Sequence, residues 1–296
     1  MHRACGAEKA PGRRPGAARK PRETPCARQH GARRRRYDGD MENAAETTRA
    51  APCGAPLPTR MARLAKEAFL ETLWPTRCAV CDAPGEVLCG PCRQNLPYID
   101  WWRACPRCGA PFGRVQCSEC NAVMLQASGR EAPPFAGAAS AVAYQEGARR
   151  VVGAYKDQGE RRLAETMATL MAPFVAPAWR EGLQAVSFVP ATAAACRRRG
   201  FDHAELIARG VAEELGLPCI GVFQRPHASD QRKLSRRERM ANMRGRLSTL
   251  PGATLPRSLL VVDDVCTTGS TLFAAGDALR DAGVEDVFCL TFARTW

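Results

Sequence analysis

Through the second half of the chain, short apolar runs alternate with stretches whose apolar positions recur at helical spacing. Residues 137–144 (GAASAVAY), 186–190, 219–224, 258–263 and 286–292 read as buried strands. Residues 147–156, 161–174, 203–215 and 270–281 read as helices, the third stopped by Gly216 and Pro218. Strands alternating with helices predict an α/β fold: a parallel sheet flanked by helices, with right-handed crossovers. Two basic stretches interrupt the pattern, 190–201 (read as a loop) and the highly charged 225–248. Upstream, Leu64, Ala68, Phe69 and Leu73 share one helical face, and Pro75 ends that helix. Residues 1–60 lack periodicity, carry the Arg33 to Arg36 block, and read as a disordered basic tail, with Met41 or Met61 as alternative starts. The expected organisation is a tail over 1–60, a helix plus a cysteine-rich module over 61–125, and the α/β domain over 135–296.

A chain of 296 residues has room for one such domain and something smaller. It has no uninterrupted apolar run of membrane-spanning length and no apolar stretch behind the charged N-terminus. Neither membrane insertion nor export is therefore expected, and a cytoplasmic location is. The formal net charge is +13, but residues 1–60 hold fourteen Lys/Arg against six Asp/Glu. The tail dominates the charge, so total charge says little about what the folded part binds.

Eight of the fifteen cysteines form four C-x-x-C pairs: Cys78 and Cys81, Cys89 and Cys92, Cys105 and Cys108, Cys117 and Cys120. A C-x-x-C turn puts two thiolates on one side of a tight knuckle, and two knuckles complete a tetrahedron around zinc. No histidine lies nearby, so each ligand set is all cysteine and no coordination position is left open. Two structural zinc ions follow, with sequential and interleaved pairing of the knuckles both open. Gly90 and Gly109 are expected to supply unusual backbone angles, and Trp101 and Trp102 to pack the module, with a face toward a nucleic-acid strand as the alternative.

The most distinctive stretch is 258–272, SLLVVDDVCTTGSTL. A buried strand runs into two carboxylates, Asp263 and Asp264. Val265 and Cys266 follow, then the small and hydroxyl residues Thr267, Thr268, Gly269, Ser270 and Thr271, and then a helix. Free amides, hydroxyls and the positive end of a helix dipole favour a phosphate monoester. Two acids beside that cradle suit the diol of a ribose 5-phosphate.

This stretch resembles the binding signature of type I phosphoribosyltransferases, which bind phosphoribosyl pyrophosphate (PRPP). The resemblance implies a type I phosphoribosyltransferase fold in which Asp263 and Asp264 hold the ribose hydroxyls. Val265 and Thr267 to Thr271 wrap the 5-phosphate, and magnesium accompanies the pyrophosphate. Arg197 and Arg199 in the basic loop, with Lys156, are candidates to neutralise that leaving group, although each arginine alone reads equally as a solvated surface charge. His203 at a helix start reads as a cap or packing residue, and Cys266 as a small filler. A double zinc ribbon ahead of such a domain is similar to the ComF (ComFC/GntX-like) family, linked to natural competence and DNA uptake. That family's R-x-R-G-F-N-Q matches Arg197 to Phe201 and departs at Asp202 and His203. Its Q-x-x-L-S-x-x-E-R-x-x-N-x-x-G matches Gln231, Leu234, Ser235, Glu238, Arg239, Asn242 and Gly245, with Arg239 and Asn242 on a candidate flap. The similarity covers about 70–296. It implies a PRPP-binding transferase, or alternatively a non-catalytic PRPP sensor that contacts single-stranded DNA or a DNA-translocating helicase.

Overall fold

The computed structural model describes residues 75–226 and 247–295. The basic tail, the predicted 62–73 helix and the flap candidates Arg239 and Asn242 lie outside the described residues. Four strands, β1 Gly137–Ala143, β2 Ala185–Phe188, β3 Ser258–Cys266 and β4 Asp286–Arg294, form one parallel sheet in the order β1-β4-β3-β2. β3 is an interior strand with β2 and β4 beside it. Being covered on both faces, it is apolar without alternation from Leu259 to Val262.

Among the described residues the α-helices are α1 Gly90–Gln94, α2 Ala122–Ala127, α3 Glu146–Lys156, α4 Leu163–Met171, α5 Pro177–Arg180, α6 Ala193–Arg199, α7 His203–Leu215 and α8 Ser270–Asp281. Side-chain alternation along β3 sorts them onto two faces. Leu260 and Val262 join a core with Val151 of α3, Met167 of α4 and Ile207 of α7. Leu259 and Val261 join a second core with Ala275 and Leu279 of α8.

The cysteine-rich module straddles the β1 edge of this sheet. Cys78, Leu88 and Leu96 belong to the first core, whereas Cys105, Cys108, Cys117 and Cys120 belong to the second. Between them the chain lies along β1: Ile99 donates its N–H to Ala141 O (2.9 Å), and Ala143 donates to Pro97 O (2.8 Å). The module thereby covers a strand edge that would otherwise be free to pair with another chain.

Several sequence expectations need correction. The basic 190–201 stretch is not all loop. Thr192 caps α6 by accepting from Ala195 N (3.2 Å), three alanines favour the helix, and Gly200 ends it at φ +76°. The predicted 219–224 strand reduces to two isolated bridges, a parallel one between Cys219 and Val186 and an antiparallel one between Phe223 and Thr249. Pro218, which accepts from Val186 N, has no N–H of its own to extend the ladder. Gly109 has the expected positive φ of +70°, but Gly90 opens α1 and has none. Trp101 and Trp102 do not pack the module; they are 72% and 57% exposed.

Candidate functional site

β3 continues through both acids to Cys266, past the predicted 258–263. Strand parity carries the face of Leu260 and Val262 on to Asp264, which points toward α3 and α7. There it pairs with Lys156, the last residue of α3, and lies 3.8 Å from His203 Nε2, at the start of α7. Asp263 has the opposite parity, yet its carboxylate turns back so that Asp264 N donates to it (2.9 Å). Asp264 likewise accepts from Val265 N (2.7 Å). The strand end thus draws one ligand atom each of Asp263, Asp264 and His203 within 4.8 Å of one another.

The charges in this cluster are strongly perturbed. Burial, and then the neighbouring Asp264 carboxylate, push Asp263 up to about 8. Burial also opposes the charge of Asp264, but Lys156 and His203 outweigh it and hold that carboxyl below the usual range. Burial, followed by the cations Lys156 and Arg199, lowers His203 against the pull of Asp264. At neutral pH this gives a protonated Asp263, an ionised Asp264 and a neutral His203, an arrangement with one carboxyl donor and one carboxylate acceptor side by side.

Beyond Cys266 the chain turns through Thr267 and Thr268 to Gly269, whose φ of +73° precedes the first turn of α8. Thr268 Oγ1 and Ser270 Oγ share a hydrogen bond (2.7 Å), so hydroxyls line the mouth of the helix. No acid occupies the first turn of α8, and the positive end of its dipole is unopposed from within. Cys266 is buried at the end of β3, consistent with a filler.

Of the predicted basic partners, Lys156 reaches the acids directly. Arg199 Nη1 lies 3.2 Å from His203 Nδ1 and joins the cluster through it. Arg197 is exposed on α6 and is not among the residues drawn to the cluster. His203 opens α7 and is largely buried, as a cap-region or packing residue would be, and the structure adds that it lies at the acid cluster. Its cap is Asp202, which accepts from Glu205 N (3.5 Å) and Ala191 N (2.9 Å). The local sequence of His203 carries no signal of its place at the cluster, since the acids it meets lie roughly sixty residues further along the chain.

The eight cysteines form two sets, Cys78/Cys81/Cys89/Cys92 and Cys105/Cys108/Cys117/Cys120, each with its sulfurs within 4.8 Å of one another. The pairing is sequential. All eight are free thiols. The Sγ···Sγ separations are 3.6 Å for Cys81–Cys89 and 3.5 Å for both Cys105–Cys120 and Cys108–Cys117. A tetrahedron with metal–sulfur bonds of about 2.3 Å has edges of about 3.8 Å, so both sets fit zinc. Backbone amides also turn toward sulfur, Cys89 N to Cys78 and Glu119 N to Cys117, each at 3.4 Å.

Comparison with known proteins bears on the cysteine sets. The model of the double zinc ribbon domain matches residues 69–124. Competence protein F of Haemophilus influenzae is 35% identical over 101 residues, which cover 33% of this chain and 44% of that protein. The chain thus spans less than half the length of that relative. Competence protein ComFC of Streptococcus pneumoniae is 22% identical over 212 residues, 70% of this chain and 87% of that protein. Among solved structures, orotate phosphoribosyltransferase from Aeropyrum pernix is 18% identical with a TM-score of 0.26, covering 49% of this chain and 64% of that one. An adenine phosphoribosyltransferase is 15% identical with a TM-score of 0.28, covering 48% and 74%. Those two overlaps are slight. The parallel strand order, and the acids and hydroxyl loop at the end of β3, carry more.

Proposed function

We propose that this chain, which is of the ComF type (a double zinc ribbon ahead of a phosphoribosyltransferase-like domain), binds PRPP at the carboxyl end of β3 in a competence or DNA-uptake role. The observation that carries the reading is the junction of Asp263 and Asp264 with the Thr267–Thr271 turn at the start of α8. Two carboxyl groups of opposite protonation preference suit a vicinal diol, since one can donate and the other accept. The amides and hydroxyls of the turn suit the 5-phosphate. Lys156, and Arg199 beyond it, supply positive charge for the pyrophosphate.

Magnesium fits the same place, because PRPP brings most of its ligands and the ionised Asp264, with Asp263 once a bound cation has displaced its proton, offers carboxylate oxygens in reach of one ion. When bound, magnesium would neutralise the departing pyrophosphate. The chain's own groups would hold the ribose in register and stabilise positive charge at the anomeric carbon, and no protein nucleophile is needed. Isothermal titration with PRPP and magnesium tests the reading. The expected result is saturable binding that is lost in the Asp263→Asn, Asp264→Asn double variant. Absence of binding, or binding indifferent to that variant, overturns it. Pyrophosphate release across a panel of bases, amines and nucleic acids then separates a transferase from a sensor.

A second reading, contact with single-stranded DNA, has its own observation. Trp101 and Trp102 stand exposed, and the Arg103 guanidinium lies 5.4 Å from the Trp102 ring centre and 5.3 Å from that of Phe112. Exposed aromatics with an interleaved arginine suit base stacking, and phosphate contacts make binding steeply salt-dependent. Fluorescence anisotropy with a labelled oligonucleotide is expected to weaken in the Trp101→Ala, Trp102→Ala variant at fixed salt. Unchanged affinity removes this surface from consideration.

A further inference from the structure

Arg294 ends β4 and is buried, at 5% exposure. Its Nη1 donates to Cys108 O (2.7 Å) and lies 3.3 Å from Cys266 Sγ. Cys108 belongs to the second cysteine set, and Cys266 immediately precedes the hydroxyl turn. One guanidinium therefore touches both a zinc knuckle and the foot of the anion-binding loop. Thr295 continues the connection, donating its N–H to Cys266 O (3.0 Å) and its hydroxyl to Thr267 O (3.1 Å). A cavity of about 30 Å³ lies in the same seam, lined by Cys108, Cys120, Thr268, Gly269 and Arg294.

A buried guanidinium requires compensating negative charge. Arg294 Nη1 reaches a carbonyl and a sulfur, neither of them a carboxylate. Zinc held by four thiolates carries a formal charge of about −2 and is itself costly to bury unless countered. The second set is wholly buried beside Arg294, and Glu119 at the same cavity adds to the negative field. The first set packs with the other core and includes the exposed Cys81. The two zinc sites are therefore not equivalent with respect to the loop.

We infer that Arg294 is a positioning residue that serves as counter-ion to the second zinc–thiolate cluster and fixes the foot of the 267–271 loop. Loss of zinc from the second site then loosens the loop, and loss from the first does not. This inference rests on the zinc sites and not on the PRPP reading. Its test follows zinc and backbone exchange, so its failure is distinguishable from a failure to bind PRPP.

The experiment uses the zinc-loaded full chain. Zinc release to a chromogenic chelator is timed, and amide hydrogen exchange is followed in peptides covering 264–273. Cys117→Ser, which breaks the second site, is expected to raise exchange in those peptides by roughly tenfold or more. Cys92→Ser, which breaks the first site, leaves it at the parental level. Arg294→Gln is expected to release second-site zinc about 10–100-fold faster, as loss of a supporting contact to a metal site does. Arg294→Lys keeps the charge and restores zinc retention. It still leaves the loop less protected, because the shorter, unforked lysine side chain does not set a donor where Nη1 meets both Cys108 O and Cys266 Sγ. If Arg294→Gln does not fold, the two cysteine variants and Arg294→Lys decide the matter. Parental loop exchange in Cys117→Ser, or an equal rise in Cys92→Ser, overturns the inference.

Discussion

Lys156 and Asp264 form an ion pair at the carboxyl end of the sheet, with the Asp264 side chain 3% exposed and that of Lys156 22%. Lys156 comes from the last turn of α3 and Asp264 from an interior strand more than a hundred residues later. Removing the ammonium leaves a carboxylate buried without its partner. Lys156→Met is therefore expected to destabilise the fold by about 3–5 kcal/mol. Asp264→Asn in that background is expected to recover most of the loss. Denaturant midpoints of the two single variants and the double variant check both statements.

Asp263 predicts an unusual dependence of stability on pH. Its carboxyl ionises near pH 4 in the unfolded chain but holds its proton to about 8 in the folded one. Across that window the folded state binds more protons, so this group makes stability fall as pH rises. Asp263→Asn removes the effect. Its melting temperature relative to the parent is expected to climb between pH 5 and pH 8. Asp264 acts in the opposite sense: its depressed pKa contributes stability above the unfolded value, which is lost as pH falls below about 4.

Metal analysis is expected to find two zinc ions per chain. Cys105→Ser and Cys81→Ser should each lose one, with unequal structural consequences. Cys105 is buried in the core shared with α8, and Cys81 is exposed at the surface. The melting temperature should fall further for Cys105→Ser, and chelation should reproduce the larger fall.

Two glycines in the left-handed region separate conformational strain from crowding. At Gly269 an added Cβ meets nothing nearer than 3.7 Å, so Gly269→Ala carries only the cost of its φ, about 1–2 kcal/mol. At Gly109 the φ is +70° and the Cβ falls 2.7 Å from Ala138 O, a backbone atom of β1. Gly109→Ala adds a clash to the strain and is expected to cost about 2–4 kcal/mol. Chemical denaturation of both variants tests the order.

The sequence alone determined what depends on local chemistry. Periodicity located all four strands of the sheet and its principal helices, since a buried parallel strand is written as an apolar run and a surface helix as a 3.6-residue stripe. C-x-x-C spacing specified the zinc knuckles because a knuckle is a local turn. The acids at the end of β3, and the glycine and hydroxyls after it, marked a candidate anion loop for the same reason. Where local preferences balanced, the reading went astray: alanines between Thr192 and Gly200 made a helix of a stretch that its arginines suggested was a loop.

Only the tertiary structure decided which partners meet. Strand order placed β3 in the interior, and its parity turned Asp264 toward Lys156 and His203. Nothing in the local sequence of His203 distinguishes a residue at the acid cluster from an ordinary helix start. Pairing of β3 with β4 set Cys266 opposite Arg294, and packing of the second ribbon against that strand end brought Cys108 to the same guanidinium. These contacts join residues far apart in the chain, and the desolvation that perturbs their charges exists only once the layers close over them.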